Sequence, residues 1–504
     1  MEGKAAKKKG IIGTLVSVSG IVILAKVLGF VKQMATASAF GATIDTDIIS
    51  MSESLIGNVD YLLVQALATA FIPTYIYAQK ESKERSKRFV SNTITVFLIV
   101  SLLISLVFSL GSPIVARILA PTYSDELSAQ LSAYIRYFAP VLAVIVELSI
   151  FNSLLKANEH FIAGELINVN QSVILIVLII LIGGTVGPDT LVIGFYAYAV
   201  FNLIFLMICA RKYWGYVSGN PFRDENVKKL LKMMGPLLAG YSMVFVNQQV
   251  DKIIVSGLGE GTVTAMNYAS VLSNFVATFI GSICGVLFTY ITQNIADKKD
   301  KDAADLTMNS TIQMVTLLLP ISVLTVLNAE DIVTIVFARG EFGPDAVHKC
   351  ALSLAGYGFM FVPYIIRELF SRFQYAYGDS KTPMVNSIIS IVFNIIFSIV
   401  LSRFMGVLGV ALATSISVLV CAVLNIVTSV KKNNHFNLGF LRSLPLWLIG
   451  SAICVGVSLL GIYFLSAMNP LIRFVIVTAV SMILYCLINI KALKPLIMRF
   501  LKRG

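Results

Sequence analysis

Val173-Ile174-Leu175-Ile176-Val177-Leu178-Ile179-Ile180-Leu181-Ile182 is an unbroken apolar run, and Gly183-Gly184-Thr185-Val186-Gly187-Pro188 follows it. Beyond this break a second apolar run starts at Thr190 and ends before Arg211-Lys212. Two apolar segments of about 20 residues joined by a Gly/Pro turn read as two membrane-spanning helices. The same pattern fills the chain. Its 504 residues are 57% hydrophobic and 13% charged, where soluble domains carry ~25% charged residues. Mean hydropathy is +0.84. No soluble core hides that much apolar surface, which excludes soluble enzymes, disordered chains and coiled coils. An outer-membrane barrel would show only weak alternation. An all-α polytopic membrane protein remains.

Apolar runs separated by polar breaks predict 14 transmembrane helices, at 11–38, 45–78, 89–118, 127–156, 161–183, 190–212, 228–256, 262–296, 306–329, 346–377, 384–403, 406–430, 442–466 and 470–499. The basic start, Lys4 and Lys7 to Lys9, opens the first of these and reads as an uncleaved membrane helix. With the N-terminus inside, 28 Lys and Arg fall in inner segments and five in outer ones. This asymmetry predicts both termini on the cytoplasmic side and accounts for the net charge of +12 without any nucleic-acid partner. The six cysteines form no CxxC or Cys/His cluster, so they read as packing residues rather than metal ligands.

Two echoes point to an internal repeat. Thr74-Tyr75-Ile76 before a charged run returns as Thr289-Tyr290-Ile291 before another. Pro140, Glu147 and Asn158 return as Pro363, Glu368 and Asp379. The offsets, about 215 and 221, predict a six-helix unit used twice, helices 1–6 and 7–12. The expected division is 1–225, 226–435 and a final pair of helices in 436–504. Transporters commonly place substrate between such halves.

Charges at bilayer depth are costly and mark cavities or partners. The basic ones are Lys26, Lys32, Arg136, Lys252, Arg367 and Arg372; the acidic ones include Asp47, Glu53, Asp60, Glu147, Glu165, Asp251 and Glu368. Lys26 follows some fifteen mostly apolar residues and so lies ~22 Å along its helix, past mid-membrane. It either snorkels or pairs with Glu53 or Asp60, or it lines a hydrated cavity for an anionic substrate. Arg367 and Glu368 either close ion pairs with a neighbour or line that cavity. Asp251, with Asn386 and Asn394, forms a candidate site for a coupling cation. No HExxH, Walker A or GxSxG motif is present, and the three histidines lie near loops, so no catalytic site or cofactor is expected. Transport is then driven by a cation such as Na+ or H+, by the membrane potential, or by the substrate gradient.

Several segments resemble the MurJ/MviN lipid II flippases of the multidrug/oligosaccharidyl-lipid/polysaccharide exporter superfamily. They are Lys26-Val27-Leu28-Gly29-Phe30-Val31-Lys32, Phe40-Gly41-Ala42 with Thr46-Asp47, Ala70-Phe71-Ile72-Pro73, Val250-Asp251-Lys252-Ile253-Ile254 with Asn267-Tyr268-Ala269, Arg339-Gly340-Glu341-Phe342, and Arg367 to Arg372 through Gly378-Asp379-Ser380-Lys381-Thr382-Pro383. The resemblance covers almost the whole chain. It implies two six-helix lobes around a central cavity, and two additional helices forming a groove for a polyprenyl tail. It further implies movement of an undecaprenyl-pyrophosphate-linked peptidoglycan precursor, lipid II, from the inner to the outer leaflet of the bacterial cytoplasmic membrane. A monomer with membrane lipids and lipid II as its partners is expected. On this reading Lys26, Lys32, Asp47, Glu53, Arg136, Lys252, Arg367 and Arg372 are the candidate substrate-binding residues.

The departures from the family pattern concern charge. Relatives commonly carry Arg at the positions of Lys26 and Lys32, and further arginines near Val59 or Asp60 and at Val271. Lys keeps the charge but loses the bidentate fork that suits phosphate. A flippase for another polyprenyl-linked glycan, of a capsule or wall polymer, is therefore the alternative. A multidrug antiporter of the same superfamily is a third reading, disfavoured by the final two helices.

Overall fold

The computed structural model describes residues 2–217, 219–433, 435–436 and 443–490, with the backbone alone for 2–17, 19, 60, 239–241, 243 and 244. The expected charges from Lys4 to Lys9, the side chain of Asp60, Arg442, and the basic residues from Lys491 to Arg503 lie outside what is described.

The described residues are helical from end to end. In chain order the helices are α1 (Glu2–Phe40), α2 (Ile44–Glu81), α3 (Lys83–Leu119), α4 (Asp125–Phe138), α5 (Val141–Ala157), α6 (Phe161–Val186), α7 (Thr190–Ala210) and α8 (Glu225–Ser256). They continue as α9 (Thr262–Ala296), α10 (Asp300–Leu327), α11 (Ala329–Phe337), α12 (Pro344–Gly358), α13 (Phe361–Ala376), α14 (Lys381–Lys432), α15 (Leu444–Phe464) and α16 (Pro470–Ile488). Ten stretches are long and apolar enough to cross a membrane, or 11 when α12 and α13 are taken as one bent span. The protein is thus polytopic.

Helix ends follow the local chemistry. Thr43 and Thr46 form a reciprocal capping box at the start of α2, where Asp45 and Asp47 also face the positive end of the helix dipole. Ser82 Oγ accepts from Arg85 N at 3.0 Å to start α3. Asn469 Oδ1 accepts from Leu471 N at 2.9 Å at the start of α16, with Pro470 in the first turn. Gly406, with φ of +55°, interrupts α14 between the two spans expected at 384–403 and 406–430. A side chain is disfavoured in that left-handed conformation, so glycine permits the reversal.

Two breaks were not anticipated. The expected helix at 127–156 is interrupted between α4 and α5, at Ala139 and Pro140. The one at 346–377 is interrupted between α12 and α13, which meet at 42°. Pro363 lacks the N–H that would bond to the carbonyl of Phe359, which lies in the second break. The nine-residue α11 is also additional to the expected spans.

The chain forms two compact units, residues 1–261 with 339–342, and residues 262–338 with 343–504. The packing seam follows α8, whereas the repeat reading divides the chain before it. The core of the first unit joins α2, α3, α4, α5 and α7 through residues such as Phe71, Phe89, Phe138, Phe151 and Phe195. Large apolar residues are also plentiful on the outside, including Leu110, Ile180 and Leu181 at 70–75% exposure. Such a surface suits lipid rather than water.

In the first unit, residues 339–342 pack against the end of α1. Glu341 N donates to Ser38 O at 2.9 Å. A Cβ on Gly340 would lie 2.1 Å from Ser38 O, so only glycine permits the approach. The Arg339-Gly340-Glu341-Phe342 motif is thereby explained as a docking segment.

Candidate functional site

The first unit gathers three of the sequence-predicted charges from three helices. Lys32 on α1 and Lys252 on α8 both lie within electrostatic reach of Glu53 on α2. All three are half-buried. Among the described residues neither lysine contacts Glu53 in a direct ion pair, so their ammonium groups are not used up by it. The group brings two basic side chains together with one acidic one. Such a group, held away from bulk water, attracts an anion more strongly than it would at the surface.

Lys26 is exposed on α1 and forms no ion pair among the described residues. The structural pairing with Glu53 considered for it is therefore not formed. Arg136 is exposed at the end of α4, where its Nε donates to Ser112 Oγ at 2.8 Å and its Nη2 to Ser132 Oγ at 3.2 Å. It is thus held by neutral oxygens, and no carboxylate pairs with it among the described residues.

Asp47 differs from the expectation of a substrate-facing residue. It is completely buried in the first turn of α2. Burial pushes the neighbouring Tyr123 phenol up from its ordinary value, and the Asp47 carboxylate adds to the effect. Asp47 is closed to substrate in this conformation.

The second unit holds a matching group. Glu368 Oε1 accepts from Arg367 Nη2 at 2.8 Å, and its Oε2 from Arg372 Nη2 at 3.4 Å. The Arg367 guanidinium also lies 4.5 Å from the Tyr364 ring centre. Again two cations meet one carboxylate, this time in direct contact. Beside it, Gln374 Nε2 donates to Thr428 Oγ1 at 2.7 Å and Ser429 Oγ at 2.8 Å.

The coupling-cation candidates fall in different units. Asp251 is half-buried on α8, in the first. Asn386 and Asn394 are buried in the second. Asn386 Nδ2 donates to Asn425 Oδ1 at 2.7 Å, and Asn394 Nδ2 to Thr414 Oγ1 at 3.3 Å. Both amides thus bind together the two halves of α14.

Sequence reasoning missed an apolar cavity in the second unit. It has a volume of about 270 Å³ and is lined by residues including Met308, Val315, Ile366, Phe370, Trp447 and Leu448. They come from α10, α13 and α15, with Ile426 of α14. Trp447 Nε1 donates to Thr316 Oγ1 at 2.8 Å and so fixes α15 against α10. Asn328 Nδ2 donates to Ser458 Oγ at 3.2 Å and ties the same helix one step further along. The one sequence signal that could have pointed to Trp447 is the rarity of tryptophan, two in the chain.

Comparison with known proteins bears on this arrangement. The family described as "Lipid II flippase MurJ" matches residues 36–488. A probable lipid II flippase of Rickettsia prowazekii is 22% identical over 79% of this chain and 81% of its own length. One of Borreliella burgdorferi is 24% identical over 79% of each chain. A Vibrio cholerae relative is 29% identical over a shorter stretch, 43% of this chain and 41% of its own. Among solved structures, a lipid II flippase in an inward closed conformation superposes with a TM-score of 0.80 at 19% identity, covering 96% of this chain and all of that one. An inward-facing multidrug transporter of the same superfamily gives 0.66 at 13% identity, over 83% of this chain and 97% of that one. The first of these similarities accounts for both units with α15 and α16. The chain belongs to the lipid II flippase MurJ family.

Proposed function

We propose that this protein moves lipid II from the inner to the outer leaflet of the bacterial cytoplasmic membrane by alternating access. The observation that carries the reading is the family match over residues 36–488. The chemistry of the two units supports it. Lipid II has an anionic pyrophosphate joined to a long apolar tail. Lys32 and Lys252, each within electrostatic reach of Glu53, supply the charge for the first, and Lys26 adds a further cation on α1. Arg136, Arg367 and Arg372 are further cations for the saccharide-pyrophosphate part. The apolar cavity beside α15 takes a segment of the tail. The protein is a transporter rather than an enzyme.

The reading includes 14 spans with both termini in the cytoplasm. Two of the ten apolar stretches, Phe161–Ala210 and Lys381–Lys432, each join two expected helices. Counting these as pairs, with the bent α12–α13 span and α8, supports 14. The reading also keeps two repeats, 1–225 and 226–435, followed by the hairpin in 436–504. Asp251 is a candidate for the coupling cation, and the working form is a monomer.

The test is depletion of the protein in a strain without a redundant flippase, followed by an assay of lipid II at the outer leaflet. Exposure should fall as the protein is lost. Unchanged exposure would overturn the reading and favour another polyprenyl-linked glycan.

A further inference from the structure

Glu147 lies in α5, inside the first unit, and is 6% exposed. Both of its carboxylate oxygens are buried and meet no hydrogen-bond partner among the described residues. One turn to either side it has Ala143, Ile150 and Phe151, all buried. It is the counterpart of Glu368 in the internal repeat, yet the two are treated in opposite ways. Glu368 is clasped by Arg367 and Arg372. At the repeat offset of 221, the positions of these arginines hold Val146 and Phe151 in the first unit. The carboxyl has been kept and both counter-charges are missing.

The helices packed against α5 are α2, α3, α6 and α7. None of them brings a charged side chain within electrostatic reach of Glu147 among the described residues. α7 carries no charged residue, and Glu165, the one charge of α6, pairs with Lys156 of α5 at 3.7 Å. Tyr75 of α2 accepts from Asn158 at its hydroxyl. The charges of α3 lie near its ends, from Lys83 to Arg88 and at Arg117. Glu53 and Asp47 of α2 are placed with Lys32, Lys252 and Tyr123 instead. An ionised carboxylate with no counter-charge and no donor is not tolerated in an apolar interior, so the group takes up a proton.

We propose that Glu147 is a proton-binding site of the transport cycle. It holds its proton while enclosed among the helices packed against α5, and releases it to water when these helices rearrange. An O–H bond forms on one carboxylate oxygen as a proton arrives from water on one side. The same bond breaks as the proton leaves to water on the other, and no other reactant is needed. The occurrence of a transport cycle rests on the flippase reading; the bound proton does not.

The test uses the full chain reconstituted in liposomes, as wild type, Glu147→Gln and Glu147→Asp. Infrared difference spectra of wild type against Glu147→Gln at neutral pH should show the carbonyl stretch of a protonated carboxyl. Lipid II movement should then be followed under an imposed pH gradient with the membrane potential clamped. With one proton per cycle, the wild-type leaflet distribution should shift by up to about tenfold per pH unit. Glu147→Gln should lose that response, and Glu147→Asp should keep it. Absence of the carboxyl band overturns the site whatever the substrate. A Glu147→Gln protein that responds to the gradient as wild type does, or a wild type that ignores it, overturns the coupling. A band without any lipid II movement by the wild type establishes the bound proton and defeats the flippase reading instead.

Discussion

Arg473 of α16 grips Asp331 of α11 with two nitrogens on two oxygens, Nε to Oδ2 at 2.9 Å and Nη2 to Oδ1. The arginine side chain is 18% exposed and the aspartate 5%. The pair holds the final helix to a short helix 142 residues earlier in the chain. Removing either partner strands a buried charge, at a cost of about 3–5 kcal/mol. Arg473→Ala and Asp331→Ala should each lower the melting temperature of the detergent-purified protein. The double variant should lose clearly less than the sum of the two. Arg473→Lys should rescue only in part, because the fork is lost. Additive losses would show that the pair contributes nothing as a unit.

The Lys32–Glu53–Lys252 group predicts a different loss. Lys32→Gln and Lys252→Gln should leave the protein in the membrane but weaken transport. A charge-assisted hydrogen bond is worth about 1.5–3 kcal/mol, which corresponds to about 10- to 100-fold. Arg at either position should support function, since charge is kept. Growth of a depleted strain on each variant, with membrane levels checked by blotting, measures this. Full growth on both Gln variants would remove the group from the substrate path.

Lys26 is a separate case, because it is exposed and unpaired among the described residues. Lys26→Gln should impair complementation and Lys26→Arg should preserve it. Wild-type growth on Lys26→Gln would mark it as a residue that merely extends toward water.

The cavity beside α15 should read the tail of the substrate rather than its head. Ser451 lines it, and Ser451→Trp fills much of its volume. This variant should slow transport of lipid II with its full-length tail more than that of a short-chain prenyl analogue. Equal slowing of both would show that the cavity has no part in holding the tail.

The turn after α13 gives a pH dependence. A hydrogen bond from Lys432, with further ones from the Thr382 backbone and side chain, holds the Asp379 carboxyl well below the usual carboxylate range. Its contribution to stability is therefore complete above the unfolded value, about 3.9. It is lost as the pH falls through the lower folded value. Lys432 is largely exposed, so the contribution is small, about 1 kcal/mol or less. Melting curves of wild type and Asp379→Asn should differ slightly at pH 7 and converge in strong acid. A difference that grows toward acid would contradict the assignment.

Much of the architecture was legible because membrane helices announce themselves one at a time. An apolar run near 20 residues needs no partner to be recognised, and Gly183 to Pro188 ends one plainly. Pro140 and Pro363 were visible too, and their missing N–H groups explain why α4–α5 and α12–α13 are broken. What the sequence could not show was which helices meet. Lys32, Glu53 and Lys252 each stood out as charges at depth, but their convergence depends on how α1, α2 and α8 pack. Asp331 and Arg473 are far apart in the chain and share no motif. Asp47 looked available as a charge, and only its packing shows that it is enclosed. Glu147 was noticed for its depth, while its lack of partners emerged only beside Glu368.

The central claim, movement of lipid II by this chain, is tested most directly with the purified protein in proteoliposomes. Fluorescent lipid II placed in one leaflet is followed to the other, beside a polyprenyl-linked capsule-type glycan and protein-free vesicles. Lipid II should cross in a protein-dependent manner, faster than the other glycan, and more slowly with Lys32→Gln. Crossing of the capsule-type glycan with lipid II left behind would contradict the account.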